Sequence, residues 1–225
     1  RGLGLWAVMR ATVSGQVAGG SALRGSVART AEGLAVRILS ADAGGIRRGA
    51  GVFDAARGGN LELVLAPVAG EGTYEGEFTI TDTRIVEAPT MATLLSAVSV
   101  VGLLDQLNGE GIGFSTVEGR FRLTPEAVTL YKASAVGVSM GISLDGYYDL
   151  VNSQIDMQGV LSPFYFVNAL GRLLSPRDGE GLIGFNFTLK GPTDNPEVNL
   201  NPLPNRTHGP LRETSPRPPP GPPEQ

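Results

Sequence analysis

The amino-acid sequence predicts a mainly β protein: an antiparallel sheet built as a meander of hairpins, with two or three short helices packed on its apolar face or at its end. Three observations lead to this fold class. Apolar residues alternate with polar or small residues in seven segments, turn-forming residues separate several of these segments, and apolar residues make up 41% of the 225-residue chain. A two-residue period places one set of side chains on one face of a strand, and short turns join antiparallel strands.

Each alternating segment predicts one half-buried strand. In the first half of the chain the apolar positions are Leu34, Val36 and Ile38; Leu61, Leu63 and Leu65; and Tyr74, Phe78 and Ile80. In the second half they are Val117, Phe121 and Leu123; Val138, Met140, Ile142 and Leu144; Ile155 and Met157; and Ile183, Phe185, Phe187 and Leu189. Turns are predicted at Asp145-Gly146, at Asn152-Ser153 and between Gly109 and Gly113. The expected sheet has one apolar and one polar face.

Three segments lack this alternation and are predicted as helices. Residues 42–56 and 163–174 are short, and the second is bounded by Pro163 and Pro176. Residues 88–107 form the strongest candidate, because Pro89 suits a first helical turn and Asn108-Gly109 suits a helix end. The apolar side of this predicted helix contains Leu94, Leu95, Val98, Val101 and Leu104.

One domain is predicted over residues 1–203, as a fragment of a longer protein, followed by a disordered Pro-rich tail at 204–225. Nine of the 24 residues from Pro202 onward are proline, so the tail offers too little apolar surface to order itself. The chain begins with Arg1 and contains neither a signal-peptide pattern nor a run of about 18 apolar residues. A membrane anchor is therefore expected upstream.

Composition argues against several function classes. The absence of cysteine excludes a disulfide framework, a thiolate zinc site and a cysteine nucleophile. The net charge of −4 argues against nucleic acid as a partner. No metal or cofactor is expected, because the acid pairs Asp178/Glu180 and Asp194/Glu197 lack the spacing of a calcium loop and suit solvated turns.

Two short motifs suggest enzymes but occur in the wrong context. Gly137–Gly141 matches G-x-S-x-G around Ser139, yet it is predicted inside a strand, and the only histidine, His208, lies in the tail. Gly179–Gly184 matches G-x-G-x-x-G, but a predicted helix precedes it and a strand follows, the reverse of a dinucleotide site. Neither motif is therefore expected to form a catalytic or cofactor site.

From residue 34 to 203, the order of segments resembles the C-terminal region of the large AsmA-like proteins of Gram-negative envelopes, of the YhdP type. The most specific part is the closing pattern: a short helix, then G-E-G-L-x-G-F-x-F-T-L-x-G, then D-x-P-x-V-x-x-N-P-L, ending at Leu203. The loop between Leu174 and Gly179 is shorter than in members with a longer linker there.

The resemblance implies a non-enzymatic module that carries phospholipid. Members of this family are similar to bridge-like lipid-transfer proteins, which are anchored in the inner membrane and cross the periplasm as a long β-groove. This chain would form the C-terminal end of such a groove, with envelope partners that the sequence does not identify. The residues expected to contact lipid are Leu61, Leu63, Phe78, Ile80, Val117, Phe121, Met140, Ile142, Leu144, Ile155, Met157, Phe185, Phe187 and Leu189.

Two questions remain open at the level of sequence. Periodicity alone favours helix 88–107 as a cover for an ordinary closed core, and a structural or interaction domain without lipid is the alternative function. Under the lipid-transfer interpretation, the same helix is expected either as a lid on the groove or as a wedge that contacts a membrane. Its lack of Lys and Arg argues against electrostatic binding to an anionic surface, which favours the lid.

Overall fold

The computed structural model describes residues 10–16, 22–44, 56–68, 72–86, 88–98, 101–163, 180–201 and 205–208. In these ranges the protein is mainly antiparallel β, with twelve strands in one open sheet and two short helices. The fold class predicted from the sequence is therefore confirmed. Within the described ranges, neither helix is long and apolar enough to cross a membrane.

The strands follow one another along the chain with the helices inserted after the fifth strand. Before the helices lie β1 (Arg10–Gln16), β2 (Ala22–Arg29), β3 (Leu34–Ser40), β4 (Ala56–Pro67) and β5 (Tyr74–Ile85). The helices are α1 (Pro89–Ala97) and α2 (Val101–Asn108). After them lie β6 (Ile112–Leu123), β7 (Ala127–Val136), β8 (Met140–Asp149), β9 (Gln154–Pro163), β10 (Glu180–Pro192), β11 (Glu197–Leu200) and β12 (Asn205–His208).

The sheet is a continuous meander. Strands β1 to β11 pair in sequence order, each antiparallel to its neighbours, while β12 pairs with the beginning of β10. At about 4.8 Å per strand spacing, the path from β1 to β11 measures roughly 48 Å along the sheet. Such a sheet presents two broad faces rather than a closed barrel.

Two turns differ from the sequence prediction. Asp145 and Gly146 lie inside β8, where Gly146 has φ of 144° and a Cβ would lie 2.6 Å from the Met157 Cα. Glycine is needed there for close approach between strands rather than for a reversal of the chain. The chain reverses between β7 and β8 at Val138 and Ser139, so the prediction of Val138 as an apolar strand position is wrong, and its side chain is 94% exposed. The predicted turn at Asn152-Ser153 does join β8 to β9.

The predicted helix 88–107 is two helices. α1 ends at Ala97, with Val98 as its C-cap, and α2 begins at Val101. Val98, the C-cap of α1, is β-branched, and β-branched residues are weaker helix formers than leucine or alanine. Two shorter helices therefore replace the single helix predicted over residues 88–107.

Other predicted segments fall partly outside the described residues. Of the helix predicted at 42–56, only Ala43 and Gly44 are described as helical, and residues 164–179, with most of the third predicted helix, are not described. The disordered tail predicted for residues 204–225 differs from the structure at its beginning. Its residues Asn205–His208 form β12, because their backbone pairs with β10 from Glu180 to Gly184. Residues 209–225 lie outside the described part.

The buried core lies where the helices meet the sheet. Leu95, Leu103 and Leu107 of the helices are fully buried, and α1 contacts both α2 and β11. The strand residues buried with them are Ile112, Phe114, Met140, Leu161 and Phe187. Val198 and Leu200 of β11 pack at the margin of this cluster. The helices therefore cover one end of the sheet between β6 and β11.

The turn between β8 and β9 is organised by Asp149, which is only 5% exposed. Its carboxylate accepts hydrogen bonds from the backbone N–H groups of Val151 and Asn152, each at 2.9 Å, and from the Asn152 side-chain amide at 2.8 Å. The bonds from the side chain and then the backbone of Asn152 hold the pKa of Asp149 below its ordinary value.

This lowered pKa predicts acid sensitivity of the hairpin. The ionised carboxylate contributes stability that is complete above the unfolded-state pKa, about 3.9, and is lost as the pH falls through the lower folded-state value. We expect the melting temperature of the wild type to fall more steeply below about pH 5 than that of Asp149→Asn. Asp194→Asn, which removes an exposed carboxylate from the turn between β10 and β11, is the matched control for the change in net charge. Equal slopes for wild type and Asp149→Asn would contradict the assignment.

Candidate functional site: the apolar face of the sheet

Strand register brings apolar residues from distant parts of the chain into continuous rows across the sheet. In antiparallel strands, residues directly opposite each other project from the same face. Following these pairs from β3 to β10 defines four neighbouring rows, which we call the apolar face. No charged residue occupies these rows in the described strands β3 to β10.

The row nearest the helices contains Leu61, Ile80, Val117, Ala135, Ile142, Leu161 and Phe185. The second row contains Ile38, Leu63, Phe78, Gly119, Ala133, Leu144, Gly159 and Phe187. The third row contains Val36, Leu65, Gly76, Phe121, Leu130, Gly146, Met157 and Leu189. The fourth row contains Pro67, Tyr74, Leu123, Val128, Tyr148 and Ile155.

The structure places all the residues predicted to contact lipid on this one side of the sheet. Thirteen of the fourteen lie in the four rows, and Met140 precedes Ile142 by two residues on β8. They differ in accessibility. Met140, Phe187 and Ile80 are at most 4% exposed, whereas the other eleven are half-buried. Met140 and Phe187 belong to the core beneath the helices. Their contact with lipid stays a prediction that would require this core to open.

The helices divide the apolar face into a covered and an uncovered part. Leu94, Leu95 and Val98 of α1 are buried, and Leu104 of α2 is half-buried against the core. The side chain of Val101 lies outside the described part. The core beneath these helices includes no residue of β3 or β4, although Gly44, in a short helical stretch, lies against the backbone of Ala56 and Arg57 at the beginning of β4. The buried side of α1 agrees with a cover over one end of the sheet.

The opposite face of the sheet carries cross-strand ion pairs. Arg122 donates to Glu75 at 2.6 and 2.8 Å, Arg120 lies 3.5 Å from Glu77, and Lys190 lies 3.0 Å from Asp156. Exposed pairs of this kind contribute little stability. These ion pairs place charged side chains on one face of the sheet. The apolar face of the same strands has no charged side chain, so the two faces differ sharply in polarity.

Glu75 also accepts a hydrogen bond from the hydroxyl of Tyr131, at 3.3 Å. Its hydrogen bond and charge raise the pKa of Arg122. Partial burial, and then the charge of Glu75, raise the pKa of Tyr131. Both shifts move the titration of Arg122 and Tyr131 further from neutral pH.

Phenylalanine rings lie over glycines in the middle of the apolar face. Phe78 of β5 is opposite Gly119 of β6, and Phe121 of β6 is opposite Gly76 of β5. A Cβ on Gly119 would lie 2.7 Å from the Phe78 ring, and a Cβ on Gly76 would lie 2.6 Å from the Cε atoms of Phe121. The two ring centroids are 6.2 Å apart. Each ring therefore occupies the space that a side chain on the facing residue would need.

Ser139 does not have the surroundings of a catalytic nucleophile. It lies in the turn between β7 and β8, not inside a strand as predicted, and its Oγ donates to the Gln106 Oε1 of α2 at 3.0 Å. The motif thus joins two strands, whereas a nucleophile elbow leads from a strand into a helix. The bond ties the hairpin to α2 beside a cleft of about 390 Å³ that Asp82 and Arg84 also line.

The other sequence motifs also have structural contexts. In G-x-G-x-x-G, the residues from Glu180 onward belong to β10 rather than opening a helix, and Gly179 is outside the described part. Asp194 and Glu197 are exposed. Within the described ranges, no group of three or more acidic or histidine side chains could hold a metal ion.

Comparison with known proteins finds no protein family, curated protein or solved structure that matches this chain. Its apolar face therefore has to be interpreted from its own geometry and chemistry.

Proposed function

We propose that this chain is a non-enzymatic phospholipid-transport module whose apolar face guides acyl chains across the periplasm toward the outer membrane. The observation that carries the proposal is the apolar face, free of charge from β3 to β10, whose rows on β3 and β4 lie outside the core beneath the helices. Monomeric soluble proteins rarely expose large apolar patches, and those that do use them for binding.

The physical basis of such transport is the replacement of water around an acyl chain. Each methylene group removed from water is worth about 0.8 kcal/mol, so a face of this length can hold a chain without any chemical step. Head groups would remain in water at the rim, and the ion pairs of the opposite face keep that side solvated. Neither a cofactor nor a catalytic residue is required.

The periplasmic location and the inner-membrane anchor are proposed from the resemblance to AsmA-like proteins of the YhdP type. In such an assembly this chain would form the C-terminal end of the groove. α1 and α2 would act as a lid on its end, because their leucines are buried against β6 to β11. A lid of this kind has to move before lipid reaches Met140 or Phe187.

A structural or interaction domain without lipid is the second candidate. The observation that favours it is the closed core beneath the helices, where Leu161 and Phe114 are almost inaccessible. If a protein partner or a further segment covers the apolar face on β3 and β4 in the same manner, the whole face becomes an ordinary core. The test therefore has to detect lipid on the uncovered part.

Photo-crosslinking at neighbouring residues of β4 provides this test. Leu63 is half-buried and Val64 is 38% exposed, and consecutive residues of a strand project from opposite faces. The chain is purified from cells with a photo-reactive residue at one position or the other, irradiated, and examined by mass spectrometry. Phospholipid adducts are expected at Leu63 and not at Val64. Equal adducts, or none together with a lipid-free native mass, would reject the proposal in favour of the structural domain.

A further inference from the structure

Large side chains on the apolar face repeatedly lie over glycines of the neighbouring strand. Besides the pairs Phe78/Gly119 and Phe121/Gly76, Phe187 covers Gly159, where a Cβ would lie 2.7 Å from the ring. Side chains on strands normally stand roughly perpendicular to the sheet. A ring that occupies the Cβ space of a facing glycine instead leans against the backbone.

This leaning lowers the height of the rings above the sheet. If Gly76 carried even a methyl group, the Phe121 ring would have to shift, because the added carbon would lie 2.6 Å from its Cε atoms, and we expect the ring to rise from the sheet. The same holds for Gly119 and Phe78, and a Cβ on Gly119 would also lie 3.1 Å from the Ala133 Cβ. The glycines therefore keep the middle of the apolar face level.

We infer that the Phe–Gly pairs of β5 and β6 set the floor of the groove, and that its cargo is an unbranched alkyl chain lying across the strands. The inference rests on the proposed function. A level floor lets a straight, flexible chain cross from row to row without meeting a ring edge. Because the rings fill the space above the glycines, the floor has no recess there for a methyl branch or a rigid ring system, which bind in shaped pockets.

The pairs also have a purely structural role, since an aromatic ring packed on a glycine stabilises a sheet. The two roles predict different results for a double variant in which the glycine is replaced by alanine and the facing phenylalanine by leucine. A structural pair loses its packing in both single variants and in the double variant. If the pairs instead keep the floor level, lipid binding lost in the glycine variant returns when the displaced ring is replaced by a smaller side chain.

The experiment compares Gly76→Ala, Phe121→Leu and the double variant Gly76→Ala/Phe121→Leu in the full chain. Each protein is incubated with dioleoyl phosphatidylcholine vesicles, and bound lipid is counted by native mass spectrometry on samples whose melting is also measured. Gly113→Ala is the control, because it lies on β6 and an added Cβ there meets no atom within 4 Å. We expect several-fold less lipid on Gly76→Ala, recovery in the double variant, and wild-type loading for the control.

Two results would overturn the role of the pairs: wild-type loading of Gly76→Ala, or failure of the double variant to recover. If Gly76→Ala does not fold, Gly119→Ala with and without Phe78→Leu replaces it under the same criteria.

Vesicles of diphytanoyl phosphatidylcholine test the cargo, since its methyl-branched chains should load several-fold less than dioleoyl chains. Equal loading would reject the straight-chain assignment. A wild-type chain that binds neither lipid would instead refute the proposed function itself.

Discussion

Leu95→Asp is expected to unfold the chain or to bring it close to unfolding at room temperature. Leu95 is fully buried between α1 and the core beneath the helices. Removing a buried leucine side chain costs about 2–5 kcal/mol, and the carboxylate adds the cost of burying a polar group that has no partner there. Since domains are stable by about 5–15 kcal/mol, the change removes a large part of the total.

Ser96→Asp is the matched control for this variant, because Ser96 is the next residue of α1 and is exposed. It should shift the melting temperature only slightly, through a weak unfavourable interaction with the end of the helix dipole. Thermal melts followed by circular dichroism measure both proteins. If Leu95→Asp melts like the wild type and merely loses binding to phospholipid vesicles, α1 is a membrane wedge and not a lid.

Leu63→Asp is expected to abolish lipid loading with a smaller effect on stability. Leu63 lies between Ile38 and Phe78 in the second row, is half-buried, and has no described helix above it. A carboxylate at this position would interrupt the charge-free face at the place where an acyl chain has to pass, and it would attract water into the groove. Lipid bound after purification is counted by native mass spectrometry, and transfer of a fluorescent phospholipid between vesicles is followed in parallel.

Val64→Asp tests whether the effect belongs to one face. Val64 is the next residue on β4, is 38% exposed, and lies between Arg37 and Glu77 on the opposite face. An aspartate there is solvated and has neighbours of both signs, so loading and melting should stay near wild type. Similar losses in both variants, or no loss in Leu63→Asp, would show that the apolar face does not carry the lipid.

Much of the fold could be predicted because the period of a strand is visible in a few neighbouring residues of the sequence. Leu61, Leu63 and Leu65 alternate with Glu62 and Val64, and this contrast alone identifies β4 and its apolar side. The same applies to β5, to most of β6 and to β10. The turn at Asn152-Ser153 was also predictable, since its residue types favour reversal of the chain.

Other strands escaped the sequence analysis for identifiable reasons. β7 has a register shift between Leu130 and Ala133, so its apolar residues change phase within the strand and no constant two-residue period exists. β1 and β2 consist largely of alanine, serine, glycine and arginine, whose contrast is too weak to indicate a buried side. The proline-rich sequence around β12 is typical of a disordered tail, and β12 forms a strand only because it pairs with β10.

The fold class and the residues that share the apolar side can be predicted from the sequence, because both depend on alternation between neighbours along one strand. Which of these residues are covered depends on tertiary packing. Met140 and Phe187 come from separate strands, and their burial depends on helices that pack from elsewhere in the chain.

The Phe–Gly pairs also depend on tertiary structure and could not be predicted from the sequence. Gly76 and Phe121 are far apart in the sequence, and neither residue indicates its partner until strand register places them opposite each other. Contacts across a sheet are set by pairing rather than by local pattern, so the level floor of the apolar face is a property of the assembled sheet.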